Sequence, residues 1–389
     1  MSRIDTLQLY NFKFFDEQEP IKLNGKHLLL YGENGSGKSS IYWALYTLFE
    51  ASQKNKEDIE KYFKHYTQHS QSLVNIHTAP ISKGGSPFYD SFIKAKTDHP
   101  SSKEYKVSLL DTKIKDDTSA KEINQASDFI SYKVLYKFQD FRNGEKIDLA
   151  DIFISHILPY INFASKDLIR NGKRKTFTSA SDMYEEIKKG PGTTFNAKGK
   201  IIQVYKYSEE NKTYNDFANH FNAQMEDLID FININAPRIL KELGYDIDFK
   251  LIYRELEYHK ATVNFHFEPF KIDFIIISYL GTPITINRPQ SFLNEAKITA
   301  IAIAIRLTVL KKRINTEAGD VLKFIVLDDV MISLDMNNRD KLIDFILDPV
   351  NKFTDDYQLL FLTHDRSFFF YLKDKIRNAG LKNDWLYKE

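Results

Sequence analysis

The chain has 389 residues, 42% hydrophobic and 28% charged, the composition of a globular protein with one large domain carrying insertions or with two domains. A net charge of +1 means that nucleic-acid binding would have to come from a local patch rather than from the global field. The absence of cysteine excludes disulfides, thiol nucleophiles and cysteine-ligated zinc or iron–sulfur sites, and fits a reducing cytoplasm.

The first fifteen residues are charged and lack the apolar core of a signal peptide; Ile4, Leu7, Leu9 and Phe12 instead predict a strand. Residues 21–31 predict a second strand-like run, and the two together suggest a sheet edge feeding a nucleotide-binding strand. Next comes Gly32-Glu33-Asn34-Gly35-Ser36-Gly37-Lys38-Ser39-Ser40, which fits the phosphate-loop pattern G-x(4)-G-K-[ST]. A chance glycine-rich turn would not be framed by the apolar run His27–Tyr31 and by Ile41, Ala44, Leu45, Leu48 and Phe49 at helical spacing. Glycines 32, 35 and 37 let the backbone turn its N–H groups inward, and the helix N-terminus adds partial positive charge. Lys38 can reach outer phosphates, and Ser39 can ligate Mg²⁺.

Residues 51–103 are polar, with a loop at Lys83–Pro87. Strands are predicted over 105–110 and 129–138, the second leading to Gln139, and a short apolar helix over 148–162. Residues 163–206 hold ten basic and four acidic residues, a net of +6. Two readings stay open for this stretch: a solvated, mobile insertion, or a phosphate-contacting patch centred on Lys173-Arg174-Lys175. Tyr214, Phe217, Phe221, Met225, Leu228 and Ile232 predict a long amphipathic helix, kinked or interrupted near Pro237 and ending at Gly244. Such an aromatic stripe reads as packing rather than as a cofactor box. Three antiparallel strands are predicted over 246–254, 260–267 and 272–280, and a helix over 295–313. Ile298–Leu310 is the nearest thing to a membrane span, but it carries Thr299 and Arg306 and is too short.

The apolar run Phe324–Leu327 ends in Asp328 and Asp329, the form of a buried parallel strand with carboxylates at the ligand end. One carboxylate would hold Mg²⁺ and one would orient or deprotonate the attacking water. Ser333-Leu334-Asp335 comes next, then a helix near 337–347, and the strand 358–362 leads to Thr363-His364-Asp365 before a final helix. His156, His220 and His266 stand singly and read as structural or exposed.

Taken in order, Leu7–Lys13, the phosphate loop, Gln139, Leu293-Asn294-Glu295-Ala296-Lys297, Asp328-Asp329, Ser333-Leu334-Asp335 and His364 resemble the ABC-type ATPase heads of the SMC/RecF superfamily. The resemblance covers about 1–162 and 246–389. It implies an α/β ABC-type P-loop ATPase head, two-lobed, with a mixed sheet and flanking helices and a helical, lysine-rich insertion. The expected segments are an N-terminal lobe over 1–162, the insertion over 163–245, and a C-terminal lobe over 246–389. The resemblance also implies the roles. Gly32, Asn34, Gly35, Ser36, Gly37, Lys38, Ser39 and Ser40 would hold ATP. Ser39, Gln139 and Asp328 would organise Mg²⁺. Asp329 stands where the family usually has a catalytic glutamate, and His364 would contact the γ-phosphate. Asn294, Lys297 and Asp335 would act across a homodimer, or a larger assembly built from it, that sandwiches ATP.

Three departures bear on function. Asn294, Glu295 and Ala296 replace the serine and glycines of the usual signature. Asp329 is one methylene shorter than glutamate, which points to slow hydrolysis. Only 290 positions separate Lys38 from Asp328, too few for coiled-coil arms. Short heads of this kind resemble the ATPases of bacterial anti-phage modules such as Septu and PARIS, in which a separate effector subunit does the damage. Two other readings remain: a RecF-like repair ATPase that clamps DNA, and the ATPase subunit of a membrane transporter, which the divergent signature and the lysine-rich stretch argue against.

Overall fold

The structure of the protein is a computed structural model that describes residues 2–17, 19–83, 86–98, 102–131, 146–191, 193–195, 201–203, 209–260, 265–316, 321–330 and 334–389. The chain divides into two compact units, 1–132 with 317–389, and 133–316. The strands after residue 246 and the helix after Asn294 belong to the second unit.

The first unit is built around the helix Lys38–Glu50. Its apolar residues point in all directions, with Ile41, Ala44, Leu45, Leu48 and Phe49 at most 4% exposed, so it can only be a buried helix. On one side lies an antiparallel sheet in which Ile4–Phe12 pairs with Phe92–Thr97, which pairs with Glu104–Ser108. On the other side lies a five-stranded parallel sheet in the order Trp385–Lys388, His27–Tyr31, Gln358–Thr363, Phe324–Asp328, Asp128–Ser131. Alternation within these strands serves two buried faces: Leu28, Val326, Leu360 and Leu362 join the core around the helix, while Leu29, Leu327, Leu359 and Phe361 are buried on the opposite face.

Residues 21–31 are not one strand. Asn24 and Gly25 both take positive φ (52° and 67°), and the turn sends Ile21–Lys22 to the antiparallel sheet and His27–Tyr31 to the parallel one. The strand before the phosphate loop is therefore internal, because Trp385–Lys388, absent from the sequence expectation, covers its outer side.

In the second unit the helix Glu209–Glu242 runs continuously through Pro237. Its predicted stripe is core: Tyr214 is 1% exposed and Phe217, Phe221, Met225, Leu228 and Ile232 are at 0%. Phe217 packs edge-on to Phe177 at 5.4 Å and Phe221 to Phe163 at 5.6 Å. Those partners belong to a hairpin, Asn162–Arg170 with Lys173–Ser179, so the lysine-rich stretch is folded here rather than a loose insertion. Asn171-Gly172 forms its two-residue turn, both at positive φ (52° and 71°), as a type I′ hairpin requires. A three-stranded antiparallel sheet comes after it, Ile247–Arg254, Lys271–Tyr279 and Thr282–Ile286. The expected strand over 260–267 is instead split between the arms of a separate hairpin, Glu257–Lys260 with Phe265–Glu268. Glu295–Thr316 completes the unit as a helix buried on nearly every side. Among the described residues no helix is long and apolar enough to cross a membrane.

Candidate active site

Parallel strands deliver their C-terminal ends to one edge of a sheet, and ligands bind there. Register brings three of the predicted motifs to that edge. Tyr31 lies opposite Thr363, and Leu362 opposite Asp328. The Gly32 amide donates to the Thr363 carbonyl at 3.2 Å, and the Asp329 amide to the Leu362 carbonyl at 3.0 Å. The phosphate loop, Asp329 and His364 thus emerge side by side.

Gly37 (φ 93°) ends the loop and precedes the helix, which has no side-chain cap and no acidic residue in its first turn. The helix start thus keeps amide donors and partial positive charge for an anion. A Cβ on Gly37 would stand 2.6 Å from the Phe14 ring, so glycine is needed for space as well as for φ. Lys38 is 6% exposed, and its ammonium donates to the carbonyls of Gly32 and, at 2.8 Å, of Glu33. Burial lowers its pKa from the ordinary lysine value, while the charges of Asp329 and Asp328 act in the opposite sense. Ser39 is exposed at the helix start, whereas the Ser40 hydroxyl is buried and accepts from the Phe14 amide at 3.4 Å.

Asp329 takes a left-handed backbone, φ 52°. One of its oxygens accepts from the His364 amide at 3.1 Å. His364 Nδ1 lies 2.9 Å from that same oxygen, at ion-pair distance but off the direction of a hydrogen bond. A cleft of about 470 Å³ opens in front, lined by Asn34, Gly35, Gly37, Lys38, Ser39 and Asp329 and walled by Lys13, Phe14 and the 72–76 loop. That wall was not anticipated; its signal would have been the exposed aromatic Phe14, 58% accessible, directly after a buried strand. The size suits a small organic ligand. Glycines, uncapped amides, a lysine, an exposed serine and two carboxylates are the donor set that a nucleotide triphosphate with Mg²⁺ would use.

Gln139 and Ser333 lie outside the described residues. Asp335 is exposed at the start of the helix Met336–Leu347. Asn294 and Lys297 belong to the second unit. There Asn294 Oδ1 accepts from the Lys297 amide at 3.1 Å, capping the helix, and Lys297 Nζ donates to the Tyr279 hydroxyl at 2.6 Å. Glu295 is exposed. The predicted basic triplet is split by strand alternation. Lys173 and Lys175 lie on one side, Lys175 with its ammonium 4.5 Å from the Phe177 ring centre. Arg174 lies on the other, 3.6 Å from Asp167.

A family model described as an AAA domain matches residues 6–316. A search of curated proteins by sequence finds no match. Among solved structures, the recombination mediator RecF with ATP is similar at 11% identity, covering 94% of each chain with a TM-score of 0.50, which shows a shared fold. An SMC head bound to the C-terminal winged-helix domain of ScpA is similar at 12% identity over 99% of this chain and 93% of that one, with a TM-score of 0.47. An SMC head from Pyrococcus furiosus with an extended coiled coil gives 14%, 96%, 92% and 0.47 for the same four measures.

Proposed function

The chain belongs to the AAA domain family, as an ABC-type ATPase head of the SMC/RecF superfamily, and on that premise we propose that it is an ATP-gated switch that dimerises around nucleotide and hydrolyses it slowly. The observation that carries this reading is the meeting of the phosphate loop, Asp329 and His364 at one sheet edge. The uncapped amides and Lys38 would bind the phosphates; Ser39 and Asp328, with Gln139, would hold Mg²⁺, which neutralises charge on the transferred phosphoryl group. Asp329 would orient the attacking water, with His364 beside it at the γ-phosphate. Asn294 and Lys297 of a second copy, together with its Asp335, would complete the site. Fixing the Lys297 side chain on Tyr279 and capping the helix with Asn294 both suit a segment that must present donors to a partner's ligand.

Most of the sequence between the phosphate loop and Asp328 folds as a compact unit in place of long arms, which supports a scaffold or sensor acting with a separate effector, as in an anti-phage module. The exposed pair Lys173 and Lys175 favours a second reading, a RecF-like head that clamps nucleic acid. For the switch itself the test is mass measurement with phosphate release. Asp329→Asn with ATP should form more dimer, or a larger assembly, than with ADP, and wild type should turn over below about 1 s⁻¹, under the common enzyme range. Identical monomers with both nucleotides, or tens of turnovers per second without a partner, contradict the proposal.

A further inference from the structure

Two segments at the sheet edge have separate tasks in an ATP-gated switch: Asp335 is exposed, and His364 lies beside Asp329, which lines the cleft. A single side chain holds both. Arg339, in the first turn of Met336–Leu347, donates through Nε to the Leu334 carbonyl at 2.7 Å. Its Nη1 lies 3.4 Å from Asp365 Oδ2, and the side chain is 15% exposed. Leu334 is itself 3% exposed, so the first anchor is fixed in the core.

The second anchor is equally well held. Asp365 Oδ1 accepts from the Phe368 amide at 3.0 Å, capping the helix Arg366–Asn378, and the Asp365 amide donates to Thr363 Oγ1 at 3.1 Å. The adjacent His364 amide is the one that holds Asp329. Arg339, Asp329, Thr363 and Asp365 line one small cavity of about 10 Å³, room for no more than about a single water. The guanidinium is planar, so its Nε and Nη1 donors keep a fixed geometry between the two anchors.

We infer that Arg339 is a positioning residue that couples the Asp335 loop to His364 and Asp329, so that engagement of Asp335 by a second copy is transmitted to the hydrolytic end of the cleft. The role in hydrolysis rests on the ATPase reading; the mechanical coupling does not. It needs no contact between Arg339 and nucleotide, so its loss should lower kcat and leave KM nearly unchanged.

The test uses the full chain as wild type, Arg339→Ala, Arg339→Lys, Asp365→Asn and the double variant Arg339→Ala with Asp365→Asn. Asp365→Asn keeps an oxygen that can cap the helix and removes only the charge facing Arg339. Without nucleotide, amide exchange should quicken in the 363–368 segment of Arg339→Ala and in the 334–340 segment of Asp365→Asn, while the 38–50 helix keeps its protection. With ATP, each of these variants should lose kcat by roughly tenfold, within the hundredfold that a misplacement of about 1 Å can cost. Arg339→Lys should fall between wild type and Arg339→Ala, and the double variant should be no slower than Arg339→Ala. Exchange that changes only in the mutated segment, or kcat losses that multiply, overturn the coupling. A wild type that binds and hydrolyses no ATP contradicts the ATPase reading instead, and the exchange result then decides the coupling alone.

Discussion

Asp329 shows how the backbone selects a residue before chemistry does. At φ 52° it is in the left-handed region, which aspartate and asparagine tolerate better than longer side chains because they can bond locally. Its oxygen also accepts from the His364 amide on the neighbouring strand end. An aspartate at this position, read from the sequence as a shortened glutamate, is also one of the residues that a left-handed backbone accepts most readily. His27 is a second residue whose chemistry is fixed by its surroundings. It is 2% exposed, and its Nδ1 accepts from the Leu359 amide at 2.9 Å, so the ring must be neutral. Burial, with the nearby Arg3 charge, lowers its pKa from 6.5 to about 3. A folded pKa below the unfolded one gives stability that is full above about 6.5 and is lost as pH falls toward 3. Between pH 7 and pH 5 this one group should cost about 2 kcal/mol of stability. Thermal midpoints over that range should fall more steeply for wild type than for His27→Gln; parallel slopes would show that the acid sensitivity lies elsewhere.

At the scale of elements, legibility tracked the period of the pattern. The helix after the phosphate loop and the long helix through Phe217 and Leu228 could be read because one face or all faces of a 3.6-residue repeat were apolar. The strands Ile21–Lys22 and Glu257–Lys260 could not, because runs of two to four residues carry too little periodicity and their ends are set by turns. The hairpin at 162–179 was missed for a different reason: its lysines masked an Asn171-Gly172 turn, which is itself a strong hairpin signal. That hairpin also changes what its charges can do. Arg174 is drawn to Asp167, while Lys173 and Lys175 share the other face. If this element contacts nucleic acid, alanine at both Lys173 and Lys175 should lower the log–log salt slope of binding by about 2, and Arg174→Ala by less than about 1. Filter binding across a salt series would measure it. No binding at low salt, or a larger effect from Arg174, would make the hairpin a packing element only.

For the whole molecule, the phosphate loop, Asp328-Asp329 and His364 each stand at the end of their own strand, and parallel pairing in register brings those ends together. Strand order was not legible: nothing in Trp385–Lys388 marks it as the neighbour of His27–Tyr31. Nor does the position of Asn294 and Lys297 in the chain reveal that their helix folds with the middle stretch. The switch reading depends on nucleotide binding at the phosphate loop. Lys38 is poised on the Gly32 and Glu33 carbonyls with Asp329 and Asp328 acting on its charge, and no other lysine lines the loop side of the cleft among the described residues. Calorimetric titration of ATP with Mg²⁺ into wild type and Lys38→Ala is the most direct measurement. Saturable binding by wild type, weakened at least about a hundredfold in the variant as expected for a lost contact of about 3 kcal/mol to charged phosphates, is the predicted result; equal affinities, or no binding by wild type, would contradict it.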